Sequence, residues 1–224
     1  MYNKNCKNLV LVSYPPFAGG KFIINTLGLS NGAFFQSINL VKKQLSNQFT
    51  RQEKLNYLLK KLNEAQCNTW RDLDLGCCQL FFDKFDPRVF PKEINTITNN
   101  NTGLLFLVCH NVKTFNRLKE LWPSAKHIHI INTNRFINFR LNLNLDFDRK
   151  NYPDLSQNFS ESDDYYFLTR ADLIWNQDCF LDIDIFLDKM NNLYHDLNLI
   201  DYDEQSIKKF YHAYYNTLLR IRYV

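Results

Sequence analysis

Gly19, Gly20 and Lys21 stand together at the end of the segment Ser13 to Phe22, SYPPFAGGKF. Two adjacent glycines let a backbone come close to an anion, and a helix starting there aims its first N–H groups at that anion. Lys21 adds a positive charge at the same place. The chemistry these residues could do is to hold a phosphate or sulfate group, with Pro15, Pro16, Phe17, Ala18, Gly19, Gly20, Lys21 and Phe22 as the binding segment. A full Walker pattern has a first glycine, then Gly-Lys, then Ser or Thr. Here Pro15 occupies the first glycine position and Phe22 replaces the hydroxyl that would meet magnesium. That argues against a magnesium-dependent NTPase and leaves a metal-free anion site open; no metal is expected.

His110 is the second candidate. It directly follows the apolar run 103–109, GLLFLVC, and a histidine titrates near neutrality, which suits a general base. Its alternative is a surface or helix-capping residue. Arg135 and Arg140 are cations of the kind that grip phosphate oxygens with a planar fork; the alternative is a solvated helix face. His127 and His129 alternate within KHIHII and so share one sheet face, where packing outweighs a metal pair for want of a third ligand. His195 and His212 fall on helices facing solvent. Trp175 and Tyr165, Tyr166 and Phe167 could stack on a base, but in such numbers aromatics belong to a core. Asp163, Asp164, Asp182, Asp184, Asp201 and Asp203 read as helix-start and loop charges.

The elements that must position these residues follow from periodicity. NLVLVSY (8–14) is a short β-branched run, as in a strand buried on both faces. After the loop, Phe22, Ile23, Thr26 and Leu27 have helical spacing. Leu40, Val41 and Leu45, then Leu55, Leu58, Leu59 and Leu62, recur at helical steps, with Lys54, Lys60, Lys61 and Glu64 between them as a solvated face. Residues 70–85 are less periodic and end in Leu80, Phe81 and Phe82. Asp86, Pro87 and Pro91 punctuate the chain, and 95–102 is a polar loop. Strands at 103–109 and 126–131 flank a helix at 113–121 closed by Trp122 and Pro123, a parallel crossover. Residues 135–145 read as helix, 146–165 as an acidic loop, and 180–197 and 203–222 as helices. The expected fold is α/β: a three-layer parallel sheet with a phosphate-binding loop, a helical cap over 36–92 and C-terminal helices, all in one domain.

Composition sets the outer limits. At 224 residues with 45% hydrophobic content, such a chain buries roughly 70% of its unfolded surface and folds without metal or disulfide. A net charge of +4 fits an anionic ligand without demanding nucleic acid. The six cysteines (Cys6, Cys67, Cys77, Cys78, Cys109, Cys179) include no C-x-x-C pair and read as reduced thiols. With no stretch of eighteen or more apolar residues and a polar start, the expected location is cytoplasmic, away from membranes.

Taken in order, three segments resemble the sulfotransferase superfamily, which uses 3′-phosphoadenylyl sulfate as donor. Tyr14 and Pro15 open the loop as the family's Tyr/Phe-Pro opens its 5′-phosphosulfate loop. Cys109 and His110 resemble the segment placing the family's catalytic histidine after a strand. Trp122 to Arg140, WPSAKHIHIINTNRFINFR, is similar to the family's proline, strand and 3′-phosphate-binding turn. The helices after Trp175 share the general pattern of the family's tail. The family's Pro-Lys-Ser-Gly-Thr-Thr is here Pro16-Phe17-Ala18-Gly19-Gly20, with the lysine later, at Lys21. Its strand-end arginine is matched by Asn132 and its serine by Arg140, with Arg135 nearby. The resemblance implies a divergent sulfotransferase: His110 and Lys21 catalytic, 3′-phosphoadenylyl sulfate bound by residues 15–22 with Asn132, Arg135 and Arg140, and a small-molecule or glycan acceptor bearing a hydroxyl or amine. A P-loop kinase and a non-catalytic nucleotide-binding module of the same fold are the alternatives. An apolar face on the C-terminal helices could serve a homodimer.

Overall fold

A computed structural model describes residues 8–14, 19–34, 49–64, 79–81, 103–131 and 161–221. Five strands form one sheet: β1 (Leu9–Ser13), β2 (Gln79–Phe81), β3 (Leu105–Cys109), β4 (Lys126–Ile131) and β5 (Leu173–Asn176). Their order is β2-β3-β1-β4-β5 and every pairing is parallel. The helices are α1 (Gly20–Gly28), α2 (Arg51–Glu64), α3 (Val112–Leu121), α4 (Glu161–Leu168), α5 (Ile183–Asp196) and α6 (Glu204–Ile221), with a 3₁₀ turn at Gln177–Leu181.

The sheet is α/β because its central strands are apolar on both faces. Val10, Val12, Phe106, Val108, Ile128, Ile130 and Trp175 join one buried cluster with α1, α2, α5 and α6. Leu9, Leu11, Leu105, Leu107 and Cys109 join another with Phe115, Leu118 and Trp122 of the α3 region and Phe167 of α4. Side chains alternate across a strand, so continuous apolar runs need helices on both sides. Phe22 anchors the first layer, stacked on Tyr214 at 4.4 Å and on Phe210 at 5.3 Å between ring centroids.

Local signals account for the helix ends. Asn111 caps α3 by accepting from Thr114 N–H at 2.7 Å. Asp182 caps α5 by accepting from Asp184 and Ile185 N–H, as its expected helix-start role requires; each such cap contributes about 1 kcal/mol.

Several expectations need correction. The acidic stretch 146–165 is not all loop, because α4 begins at Glu161: acidic residues favour a helix N-terminus, and Phe167 then anchors the helix in the core. Lys54 is not on a solvated face but 2% exposed. Its ammonium donates to the carbonyls of Ser30 and Ala33 past the end of α1, which ties α2 to that turn. Strand β5 appears where no strand was expected, at the sheet edge, and β2 occupies only three residues of the weakly periodic 70–85 stretch. The helices expected around 40–45 and 135–145 lie outside the described residues, as does most of the cap over 36–92. Among the described residues no helix is long and apolar enough to cross a membrane.

Candidate functional site

Strand β1 lies at the centre of the sheet, and the helix that follows its neighbour β3 lies on the side opposite to α1. After β1 the chain enters α1 on one face; after β3 it enters α3 on the other. Where connections diverge in this way, the carboxyl ends of the strands open a crevice, the usual ligand position in open α/β sheets. Gly19, Gly20, Lys21 and His110 all belong to this edge.

The start of α1 is set by two different glycine requirements. Gly19 has φ 68° and precedes the helix in the left-handed region, which a side chain disfavours. Gly20 is needed for contact: a Cβ there would fall 2.3 Å from Cδ1 of Tyr14. The first helical bonds run from Phe22 N–H and Ile23 N–H to Gly19 O, at 2.9 and 3.3 Å. No acidic residue lies in the first turn, so no carboxylate of the helix itself offsets the partial positive charge there. Lys21 is half-buried beside it. The Phe22 side chain points into the aromatic core, 1% exposed, and its backbone N–H is already given to Gly19 O.

His110 is placed by the register of β1 and β3. Ser13 pairs with Cys109, so the next residues, Tyr14 and His110, are neighbours just past the ladder. Nδ1 of His110 lies 3.1 Å from the carbonyl oxygen of Tyr14, and the two rings meet edge-on at 4.7 Å. A carbonyl only accepts, so Nδ1 carries the proton and the neutral ring has its lone pair on Nε2. A half-buried histidine with a fixed tautomer can take a proton from a hydroxyl or amine.

The sequence reading missed one polar cluster on the opposite face of β1. The Ser13 hydroxyl lies 2.6 Å from Nε2 of His127 and 2.9 Å from Nδ1 of His129. Nε2 of His129 lies 2.9 Å from an Asp164 carboxylate oxygen. The shared face of His127 and His129 was legible from their alternation; their meeting with Ser13 and Asp164 was not. Ser, His and Asp in a line suggest nucleophilic catalysis, but Ser13, His127 and His129 are each 0% exposed, so no substrate reaches the hydroxyl. Burial pushes the His127 imidazole down to about 4, against the pull of its contact with the Arg170 carbonyl. Burial also holds His129 below its ordinary value, outweighing the attraction of Asp164.

The other candidates fall into place by burial. Trp175 is 4% exposed and donates to Gln177 Oε1 at 2.9 Å, a core residue. Tyr165 is exposed and Phe167 is in the core. His195 and His212 are exposed. Asp201 and Asp203 accept from Arg51. Pro15, Pro16, Phe17, Ala18, Asn132, Arg135 and Arg140 lie outside the described residues. Among the described residues no group of three or more His, Cys, Asp and Glu side chains could hold a metal. No family model matches the chain, and no curated protein matches it in sequence.

Proposed function

We propose that this protein is a divergent sulfotransferase that moves a sulfuryl group from 3′-phosphoadenylyl sulfate to a hydroxyl or amine acceptor. The observation that carries this reading is the juxtaposition of an anion-ready helix start, Gly19 to Lys21, with His110 at the carboxyl ends of the adjacent strands β1 and β3. The sequence resemblance at Tyr14-Pro15, Cys109-His110 and Trp122 to Arg140 supports the same donor.

In the reaction the acceptor oxygen or nitrogen attacks sulfur and gives its proton to Nε2 of His110. The sulfur–oxygen bond to the nucleotide phosphate breaks, and adenosine 3′,5′-bisphosphate leaves with the bonding electrons. Negative charge collects on the departing oxygen, where the Lys21 ammonium and the backbone N–H groups of Gly20 and Lys21 stabilise it. Arg135 and Arg140, with Asn132, are assigned to the 3′-phosphate of the donor. The enzyme works in the cytoplasm without metal. The kinase alternative would need a hydroxyl after Lys21, and the buried ring of Phe22 supplies none.

Calorimetric titration tests this reading with adenosine 3′,5′-bisphosphate in one series and ATP with magnesium in another. Binding of the bisphosphate alone, weakened by Lys21→Ala, is expected. Preference for ATP with magnesium would replace the proposal with a kinase, and binding of neither would replace it with a module that has lost the nucleotide.

A further inference from the structure

We propose that Ser13, His127, His129 and Asp164 form a proton-operated clamp on the carboxyl end of β1, which reverses the direction of its hydrogen bonds when it takes up a single proton. The argument is a count of protons against contacts. Five contacts link the group: His127 Nδ1 to Arg170 O at 3.3 Å, His127 Nε2 to Ser13 Oγ at 2.6 Å, Ser13 Oγ to His129 Nδ1 at 2.9 Å, His129 Nδ1 to the Ser13 carbonyl oxygen at 3.2 Å, and His129 Nε2 to Asp164 Oδ1 at 2.9 Å. Each needs a hydrogen, and a proton on His129 Nδ1 can serve both Ser13 oxygens. Two neutral imidazoles and one hydroxyl supply three.

With three protons, two contacts must go without. The Asp164 carboxylate only accepts, so His129 keeps its proton on Nε2, and its Nδ1 accepts from the Ser13 hydroxyl while facing the Ser13 carbonyl lone pair to lone pair. His127 then donates from Nε2 to Ser13 Oγ, and its Nδ1 faces the Arg170 carbonyl lone pair to lone pair. The unfilled contacts are the two longest of the five; turning the hydroxyl to His127 Nε2 instead would fill the 3.3 Å contact and leave the 2.9 Å one empty. With four protons, every contact fills. His129 becomes an imidazolium donating to Asp164 and to Ser13; the hydroxyl turns to donate to His127 Nε2; and His127, still neutral, carries its proton on Nδ1 towards Arg170.

The surroundings decide which ring takes the charge. Asp164 of α4 faces His129, whereas Lys119 of α3 faces His127 and disfavours a second cation there. Asp172, ahead of β5, accepts from the backbone N–H of His127 at 2.7 Å and lies 3.9 Å from Lys119, so its charge is shared. Phe115 and Phe167 wall the rings at 4.5 and 5.6 Å from His127 and His129 respectively. Asp164 itself is 41% exposed, which connects the buried chain to solvent. Because Ser13 is the last residue of β1, the clamp acts one residue before Tyr14, whose carbonyl orients His110.

Nitrogen-15 NMR of the histidine rings in the full chain tests this without any nucleotide. As pH falls below the ordinary histidine range, His129 should go from one N–H to two. Over the same titration His127 should stay neutral and move its proton from Nε2 to Nδ1. Asp164→Asn, at a part-exposed position, should lower the His129 midpoint by roughly one pH unit, a tenfold loss of proton affinity. Ser13→Ala, if it folds, should let His129 titrate without the tautomer change at His127. Protonation of His127 ahead of His129, a His127 tautomer unmoved by the titration, or a His129 midpoint indifferent to Asp164→Asn would each overturn the proposal.

Discussion

The ring of Tyr14 lies so close over Gly20 that the missing side chain is part of the contact: a Cβ on Gly20 would sit 2.3 Å from Cδ1 and 2.6 Å from Cγ of Tyr14. Tyr14 is 4% exposed, so its ring has little room to give. A Gly20→Ala change should therefore destabilise the fold by about 1–3 kcal/mol, as overpacking does, although alanine is the better helix former. Chemical denaturation measures the loss. In a Tyr14→Ala background, itself destabilised by loss of a buried ring, Gly20→Ala should add little further loss, because the two residues are coupled through this contact; additive losses would show that the strain lies elsewhere.

Acid should weaken the fold through His127. Its folded-state value is about 4 against 6.5 when unfolded, so the neutral ring favours the folded state. That contribution is complete above pH 6.5 and is lost as pH falls from 6.5 through 4. At about 1.4 kcal/mol per pH unit of separation, it amounts to about 3 kcal/mol. His129, also lowered by burial, acts in the same direction. Denaturant midpoints at a series of pH values should fall over this window, and His127→Gln should flatten the slope.

Replacing Lys54 by methionine should cost about 2–4 kcal/mol. Its ammonium is buried and donates to the Ala33 carbonyl at 3.0 Å and to the Ser30 carbonyl. Hydrogen bonds from charged groups contribute more than neutral ones; removing the donor takes the ammonium from the Ala33 carbonyl and leaves the Ser30 carbonyl with the Ala33 N–H at 3.2 Å. Methionine preserves the stem, so the loss reports the ammonium and not the packing. A melting temperature unchanged by Lys54→Met would show that the carbonyls find other donors.

How much of this was legible depended on whether the signal was local. Strands β1 and β3 could be read because their runs are largely apolar on both faces, which follows from their central positions, and β4 because Ile128 and Ile130 alternate with its two histidines. Strand β5 is four residues at the sheet edge, with Ile174 and Asn176 exposed, too short and too mixed to show a period. Lys54 read as solvated because its spacing between leucines says nothing of the two carbonyls that α1 leaves in its path. At the candidate site, Gly19, Gly20 and Lys21 are contiguous and declare themselves. Ser13 and His129 are separated by 116 residues and His129 and Asp164 by 35, so only the sheet register brings them together. The neighbourhood of His110 and Tyr14 likewise depends on the pairing of Ser13 with Cys109.

Two substitutions should separate binding from proton transfer at that edge. Lys21 is half-buried on the first turn of α1 and belongs to neither the aromatic core nor the sheet, so Lys21→Ala should cost stability no more than a part-exposed polar contact does, about 1 kcal/mol or less. It should weaken adenosine 3′,5′-bisphosphate binding roughly 10-fold or more, given about 1.5–3 kcal/mol for a hydrogen bond to a charged group. His110→Ala should do the reverse. It removes the base, lowering turnover on any accepted hydroxyl substrate by about 10²–10⁴-fold, while bisphosphate affinity stays close to that of the wild type. His110→Asn is the sharper probe, because its amide can still donate to the Tyr14 carbonyl but cannot act as a base at neutral pH. If His110→Asn keeps full turnover, the histidine positions the loop and the base is another group. If both His110 variants lose bisphosphate affinity along with turnover, the histidine supports the nucleotide and proton transfer must be reassigned.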